Sequence, residues 1–140
     1  MKTLIAAVFV FCAGLFIFAG KAYCEGLTEQ EEKIYYDYWE AYAQSFDSDG
    51  AEKSTAQKYG ITLEDLKSIN ERGIHRPITD QEKSILDEQD RLVKAEKDIS
   101  KVMSNIRQKY GLSEGRMQEL LFRETTQSVE KMWDSTHSTQ

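Results

Sequence analysis

Hydrophobic side chains recur along most of this chain at the three- and four-residue spacing of amphipathic helices, and no segment shows the alternation typical of a β-strand. The first helix is predicted to begin at Thr28, because Thr28 and Glu31 have the spacing of a capping box. One broad face of this helix is apolar and carries Ile34, Tyr35, Tyr38, Trp39, Ala41, Tyr42 and Phe46. The pattern predicts an all-α fold.

Turn signals divide the first half of the chain into shorter helices. Asp47-Ser48-Asp49-Gly50 is predicted to break or kink the first helix, because glycine and short polar side chains weaken helices. A short helix is expected over 51–59, and Gly60 is predicted to end it. A further helix over 63–72 leads to a connector at 73–77, where proline disfavours helical angles.

The same signals appear twice, 51 residues apart. Leu27-Thr28-Glu29-Gln30-Glu31 aligns with Ile78-Thr79-Asp80-Gln81-Glu82, and Gln57-Lys58-Tyr59-Gly60-Ile61-Thr62 aligns with Gln108-Lys109-Tyr110-Gly111-Leu112-Ser113. Pairing 27–73 with 78–124 gives 10 identities in 47 positions. We interpret this as a tandem duplication in which two helical units cover each other's apolar faces. The alternative is that both segments independently use common helix-capping chemistry.

The second repeat is predicted to differ in one respect. Because Lys101 replaces Gly50, its first helix is expected to run unbroken over 80–110, about 30 residues, as the spine of the molecule. Isoleucine and leucine recur along it every seven residues, as in a coiled-coil seam. These residues are Ile85, Leu92, Ile99 and Ile106. The prediction is an irregular helical bundle of two tandem helix-corner-helix repeats.

The N-terminus has the features of a secretory signal peptide over 1–22. Lys2 precedes an apolar run over 4–19, and small residues surround the expected cleavage point at Ala22. Cleavage after Ala22, processing at Cys24 and retention as a membrane anchor all remain open. We expect an exported protein, periplasmic or secreted, with one helical domain over 23–133 and a frayed tail over 134–140.

Charge argues against nucleic acid as a partner. The chain has a net charge of −6, and removal of Lys2 and Lys21 leaves 16 basic against 24 acidic residues, a balance of −8. The basic residues are interleaved with acids, whereas a phosphate backbone favours clustered cations. The corner at 57–62 resembles the helix-turn-helix of DNA-binding regulators, but Glu64 and Asp65 begin the helix that would read the groove.

Catalytic and metal-binding motifs are missing from the sequence. His75 and His137 have no partners at metal-ligand spacing, and no recognised nucleophile, zinc or phosphate-loop motif occurs. The acidic residues around Gly50 do not form a calcium loop, because Ala56 occupies the position of its bidentate glutamate. We therefore expect a protein that is not an enzyme and has no cofactor and no metal.

The aromatic first helix is the candidate binding surface. Its aromatic side chains cover a wider arc than one neighbouring helix needs, and such a surface can anchor a protein segment or an apolar ligand. The candidates are Tyr35, Tyr36, Trp39, Tyr42 and Phe46. The competing interpretation is that they form the core of the first repeat. A second functional hypothesis is an assembly subunit that forms a homodimer through the 85–106 seam.

The paired helix starts also resemble those of a known family. Small exported helical chaperones of the Spy and CpxP type carry Leu-Thr-x-x-Gln twice in one chain, and Leu27-Thr28-Glu29-Gln30-Glu31 and Ile78-Thr79-Asp80-Gln81-Glu82 are similar, with glutamine one residue early. The resemblance implies a non-catalytic, chaperone-like stress protein of the bacterial periplasm. It assigns no functional residue in this chain.

Overall fold

A computed structural model describes residues 26–96 and 98–137 of the chain. It contains six helices: α1 (Glu29–Ser45), α2 (Ser48–Tyr59), α3 (Leu63–Ile74), α4 (Asp80–Ala95), α5 (Ile99–Tyr110) and α6 (Glu114–His137). Within these two ranges there is no β-strand, so the predicted all-α class is confirmed. The predicted signal peptide and Cys24 lie outside the described residues.

The local structure follows the sequence repeat. Helices α1, α2 and α3 begin 51 residues before α4, α5 and α6 respectively. Thr28 and Thr79 each cap a helix through a complete capping box. Gly60 and Gly111 end α2 and α5 in the left-handed conformation, with φ of 63° and 65°, which glycine adopts without steric cost. The chain thus consists of two three-helix units with matching boundaries.

The predicted helix over 80–110 is wrong, because the second unit breaks where the first one does. α4 ends at Ala95, Glu96 is extended, and Asp98 caps α5 by accepting a hydrogen bond from the Lys101 backbone N–H at 3.1 Å. Asp47 is the corresponding N-cap residue of α2. An aspartate therefore occupies the N-cap position of the new helix in both units, but only Asp98 makes a side-chain capping bond.

Gly50, which suggested a break in the first unit alone, lies inside α2. α1 instead ends at Phe46, a non-glycine residue with a positive φ of 52°. α6 continues to His137, and residues 138–140 of the predicted tail lie outside the described residues. The end of α1 at Phe46 rather than at Gly50 shows that the neighbouring residues determine where a helix ends, and that a single glycine has only a weak effect.

The seven-residue seam is divided between two helices. The end of α5 lies beside the first half of α4, where Lys109 Nζ is 2.7 Å from the Glu88 carboxylate. Ile85 and Ile106 are therefore buried together, whereas Ile99 is 56% exposed. The seam closes mainly on itself, so a continuous coiled-coil surface over 85–106 does not exist.

Each unit has an apolar core. The first core contains Ile34, Tyr35, Tyr38, Trp39, Ala51, Ala56, Leu66 and Ile69. The second is smaller and contains Ile85, Val102, Ile106, Met117 and Leu120. α6 connects them by crossing α1 so closely that a Cβ atom at Gly115 would lie 2.6 Å from the backbone nitrogen of Glu40. The last helix of the second unit thereby covers the aromatic helix of the first.

Candidate binding groove

The structure divides the five aromatic candidates between the core and the surface. Tyr35 is 0% exposed and Trp39 is 4% exposed, so both belong to the core of the first unit. Tyr36 and Tyr42 are half-buried, and Phe46 is 68% exposed. The wide aromatic arc exists because α1 packs against α2, α3 and α6, three neighbours rather than one.

An open groove of about 500 Å³ lies where α1, α2, α3 and α6 meet. Its apolar lining consists of Tyr38, Trp39, Tyr42, Ile74 and Phe122. Its polar lining consists of Ser48, Glu52, Lys67, Asn70, Glu71, His75 and Thr126. A mostly apolar concavity edged by a few polar groups is the usual form of a binding site.

Trp39 is the centre of the aromatic lining. Its ring lies 5.6 Å from Tyr38, 5.7 Å from Tyr42 and 5.3 Å from Phe122, measured between centroids, and the Tyr42 contact is edge-to-face. Phe122 is itself 49% exposed, and Phe46 extends the aromatic surface by packing on Tyr42 at 6.2 Å. The buried indole therefore holds accessible rings in fixed positions at the groove mouth.

His75 connects one wall of the groove to α6. Its Nδ1 is 2.8 Å from the carbonyl oxygen of Glu71 and its Nε2 is 2.9 Å from a carboxylate oxygen of Glu130. Both partners are acceptors, so both ring nitrogens can donate only when the imidazole is protonated. The Glu71 carbonyl, with further help from the Glu130 carboxylate, raises the pKa of His75 against the opposing effect of burial.

Asn70 contributes a buried polar group to the groove wall. Within the described ranges its Oδ1 atom has no hydrogen-bond partner. Nearby, the hydroxyl groups of Tyr38 and Ser48 lie 3.4 Å apart. An acceptor without a partner next to an apolar cavity is unusual in a folded protein, where such groups are nearly always satisfied.

A second concavity of about 580 Å³, lined in part by Tyr36 and Arg76, lies over a network of ion pairs between α4 and α6 of the second unit. In this network Arg123 Nη2 is 2.5 Å from Glu82, Arg123 Nε is 3.2 Å from Glu119, and Arg116 pairs with both glutamates. Tyr36 lies between Arg76 and Arg116, whose guanidinium carbons are 5.4 and 4.6 Å from its ring centroid.

The charges of this network are compensated by partners within the chain. Tyr35 donates a hydrogen bond to Glu119 at 3.0 Å, and burial, assisted by this carboxylate, raises the pKa of Tyr35 so that it remains a neutral donor. Burial acts to raise the pKa of Glu82, but the Thr79 backbone N–H and the two arginines outweigh it and lower the pKa to about 2. Because its charges are paired with one another, the network joins the units rather than offering a ligand site.

Sequence reasoning did not select Tyr38, Ile74, His75 and Phe122 as site residues. Phe122 lies in α6, at the far end of the chain from α1. Nothing in its spacing indicates that α6 crosses α1, because that contact joins residues 83 positions apart. Tyr38 was placed on the correct helix face, but its position at the edge of the core depends on α2 and α3.

No helix in the described ranges is both long enough and apolar enough to cross a membrane. Nor do residues 26–96 and 98–137 bring three or more histidine, cysteine, aspartate or glutamate side chains together as a metal site. Comparison with protein-family models, curated proteins and solved structures finds no match to this chain. The fold and the groove define an all-helical protein of two tandem three-helix units.

Proposed function

We propose that this chain is an exported, non-catalytic interaction protein that binds an amphipathic protein segment in the aromatic groove. The observation that carries the proposal is the set of accessible rings of Tyr42 and Phe122 around buried Trp39. Anchored aromatic side chains at a concave surface supply most of the binding energy in many interfaces. An open groove suits the side chains of a segment better than it suits an enclosed small molecule.

The net charge of the chain favours a partner with basic residues. Lys67 is 3.8 Å from Glu52 and His75 is 2.9 Å from Glu130, so the cations at the rim already have acidic partners and would not attract an acidic segment. The chain as a whole carries a net charge of −6. A segment that combines leucine-like residues with lysine or arginine would therefore be attracted by the chain as a whole.

The same contacts support a non-catalytic role. The charged groups at the rim pair with one another and do not activate a hydroxyl or thiol nucleophile. Export remains our expectation from residues 1–22. If the protein is chaperone-like, its groove would bind many unfolded chains. If it has a dedicated partner, the groove would bind one specific sequence.

The proposal is tested with synthetic amphipathic peptides made of leucine with either lysine or glutamate. Trp39 and Trp133 are the two tryptophans of the chain, so a Trp133→Phe background lets Trp39 fluorescence report groove binding. We expect the lysine peptide to bind at least about tenfold more tightly than the glutamate peptide, and Tyr42→Asp to weaken binding by at least about tenfold.

Ile99→Asp is the control, because it places the same charge at an exposed apolar residue on the other unit. It should leave peptide binding unchanged. Equal losses in both variants, or binding that ignores peptide charge, would contradict the proposal. Equal affinity for many unrelated unfolded chains would instead favour the chaperone-like role.

A further inference from the structure

The second half of α6 extends beyond the packed body of the protein. The part of α6 up to Arg123 contributes buried residues, whereas every residue from 128 to 137 is exposed. Val129, Met132 and Trp133 are 57%, 64% and 64% exposed. Short helices are marginal in water unless an apolar face is covered, so this extension is expected to have a partner.

The exposed apolar residues lie on one face of α6. At 100° per residue, Phe122, Val129, Met132 and Trp133 fall within one narrow arc, with threonines between them. We call these four residues the α6 stripe. Lys131 and Asp134 lie away from it, and Glu130 at its edge is held by His75. The stripe itself therefore carries no charge.

Two copies of an acidic chain can come into contact most easily through a surface that carries no charge, such as the α6 stripe. Two copies with net charge −6 repel each other wherever their charged faces meet. The α6 stripe avoids this repulsion and holds four of the seven large hydrophobic side chains that are exposed in the described ranges. The four side chains expose on the order of 500 Å². With the flanking threonine and serine residues, this approaches the roughly 800 Å² per partner of a standard interface.

We propose that the α6 stripe is a homodimer interface in which two α6 helices pack antiparallel about a twofold axis. This arrangement places Trp133 of one copy level with Phe122 of the second copy at both ends of the pair. Because a twofold contact is self-complementary, it closes at two copies and does not propagate. The interface lies on a different helix from the 85–106 seam, which the break between α4 and α5 disrupts.

The test is sedimentation velocity over a range of concentrations on the protein expressed from its full-length sequence. We expect a dimer, and we expect Trp133→Ser and Val129→Ser each to raise its dissociation constant by at least about tenfold. Lys131→Ser, on the opposite side of the same turn, is the matched control and should have no comparable effect. Circular dichroism verifies that each variant keeps its helices.

A monomer at every concentration would overturn the proposal, as would a dimer that Trp133→Ser leaves intact. Dissociation by Ile99→Ser alone would overturn it in favour of the α4–α5 surface. Phe122 belongs to both the groove and the α6 stripe, so the dimer covers one edge of the groove. Val129→Ser should therefore leave peptide binding intact or make it tighter, and failure of the dimer can be told apart from failure of the groove.

Discussion

At the scale of single residues, the ion pair between the capping glutamate and an arginine 41 positions later occurs once in each unit. Arg72 pairs with Glu31 at 2.6 Å, and Arg123 pairs with Glu82 at 2.5 Å. The first pair is partly exposed, whereas Arg123 is 1% exposed and also contacts buried Glu119. The same type of ion pair is therefore expected to contribute more to stability in the second unit than in the first.

We expect Arg123→Leu to lower the free energy of unfolding by about 3 kcal/mol, because it removes a cation from two buried carboxylates. Arg72→Leu should cost about 1 kcal/mol, since its half-exposed partner Glu31 regains water. Urea denaturation of both variants measures the difference. Equal losses would show that the buried network is no more important than its surface counterpart.

At the scale of helices, each unit is interrupted at an aspartate that begins a new helix. Asp98 accepts a hydrogen bond from the Lys101 backbone N–H, while Asp47 makes no side-chain capping bond. The break could have been anticipated from the sequence, because Asp47 and Asp98 are among the identities of the duplication. Gly50 suggested a break in the first unit alone, but a glycine weakens a helix without starting the next one.

We expect Asp98→Ala to lower the free energy of unfolding by about 1 kcal/mol through loss of the N-cap. Asp47→Ala, the equivalent change in the first unit, should cost less because no capping bond is lost. Thermal or urea unfolding of the two variants provides the comparison. A larger loss for Asp47→Ala would contradict this account of the break.

At the scale of the whole molecule, α6 joins the two units, and carboxylate–guanidinium pairs connect helices within each unit. The free energy of unfolding should therefore depend on pH in the acid range. The hydrogen bond from Arg72 is the main cause that lowers the pKa of Glu31 to about 2, with burial opposing it, and Glu82 is lowered to the same value. Because both folded-state values lie below the ordinary 4.5, the unfolded chain binds more protons between these limits.

The stabilisation from these carboxylates is therefore complete above about pH 4.5 and is lost as the pH falls toward 2. We expect the free energy of unfolding, measured in urea at a series of pH values, to decrease over this window. Glu82→Gln should flatten the dependence, because it removes one of these two carboxylates. A wild-type curve that is flat in this window would contradict the assignment.

The sequence by itself determined the all-α class, the capped helix starts at Thr28 and Thr79, the helix ends at Gly60 and Gly111 and the repeat, because these features depend on residues within a few positions of one another. Only the tertiary structure decided which aromatic residues are core and which are surface. Tyr35 and Trp39 are buried because α6 arrives from the far end of the chain to cover them. A helix face shows that side chains will be covered, but the helix that covers them is set by long-range packing.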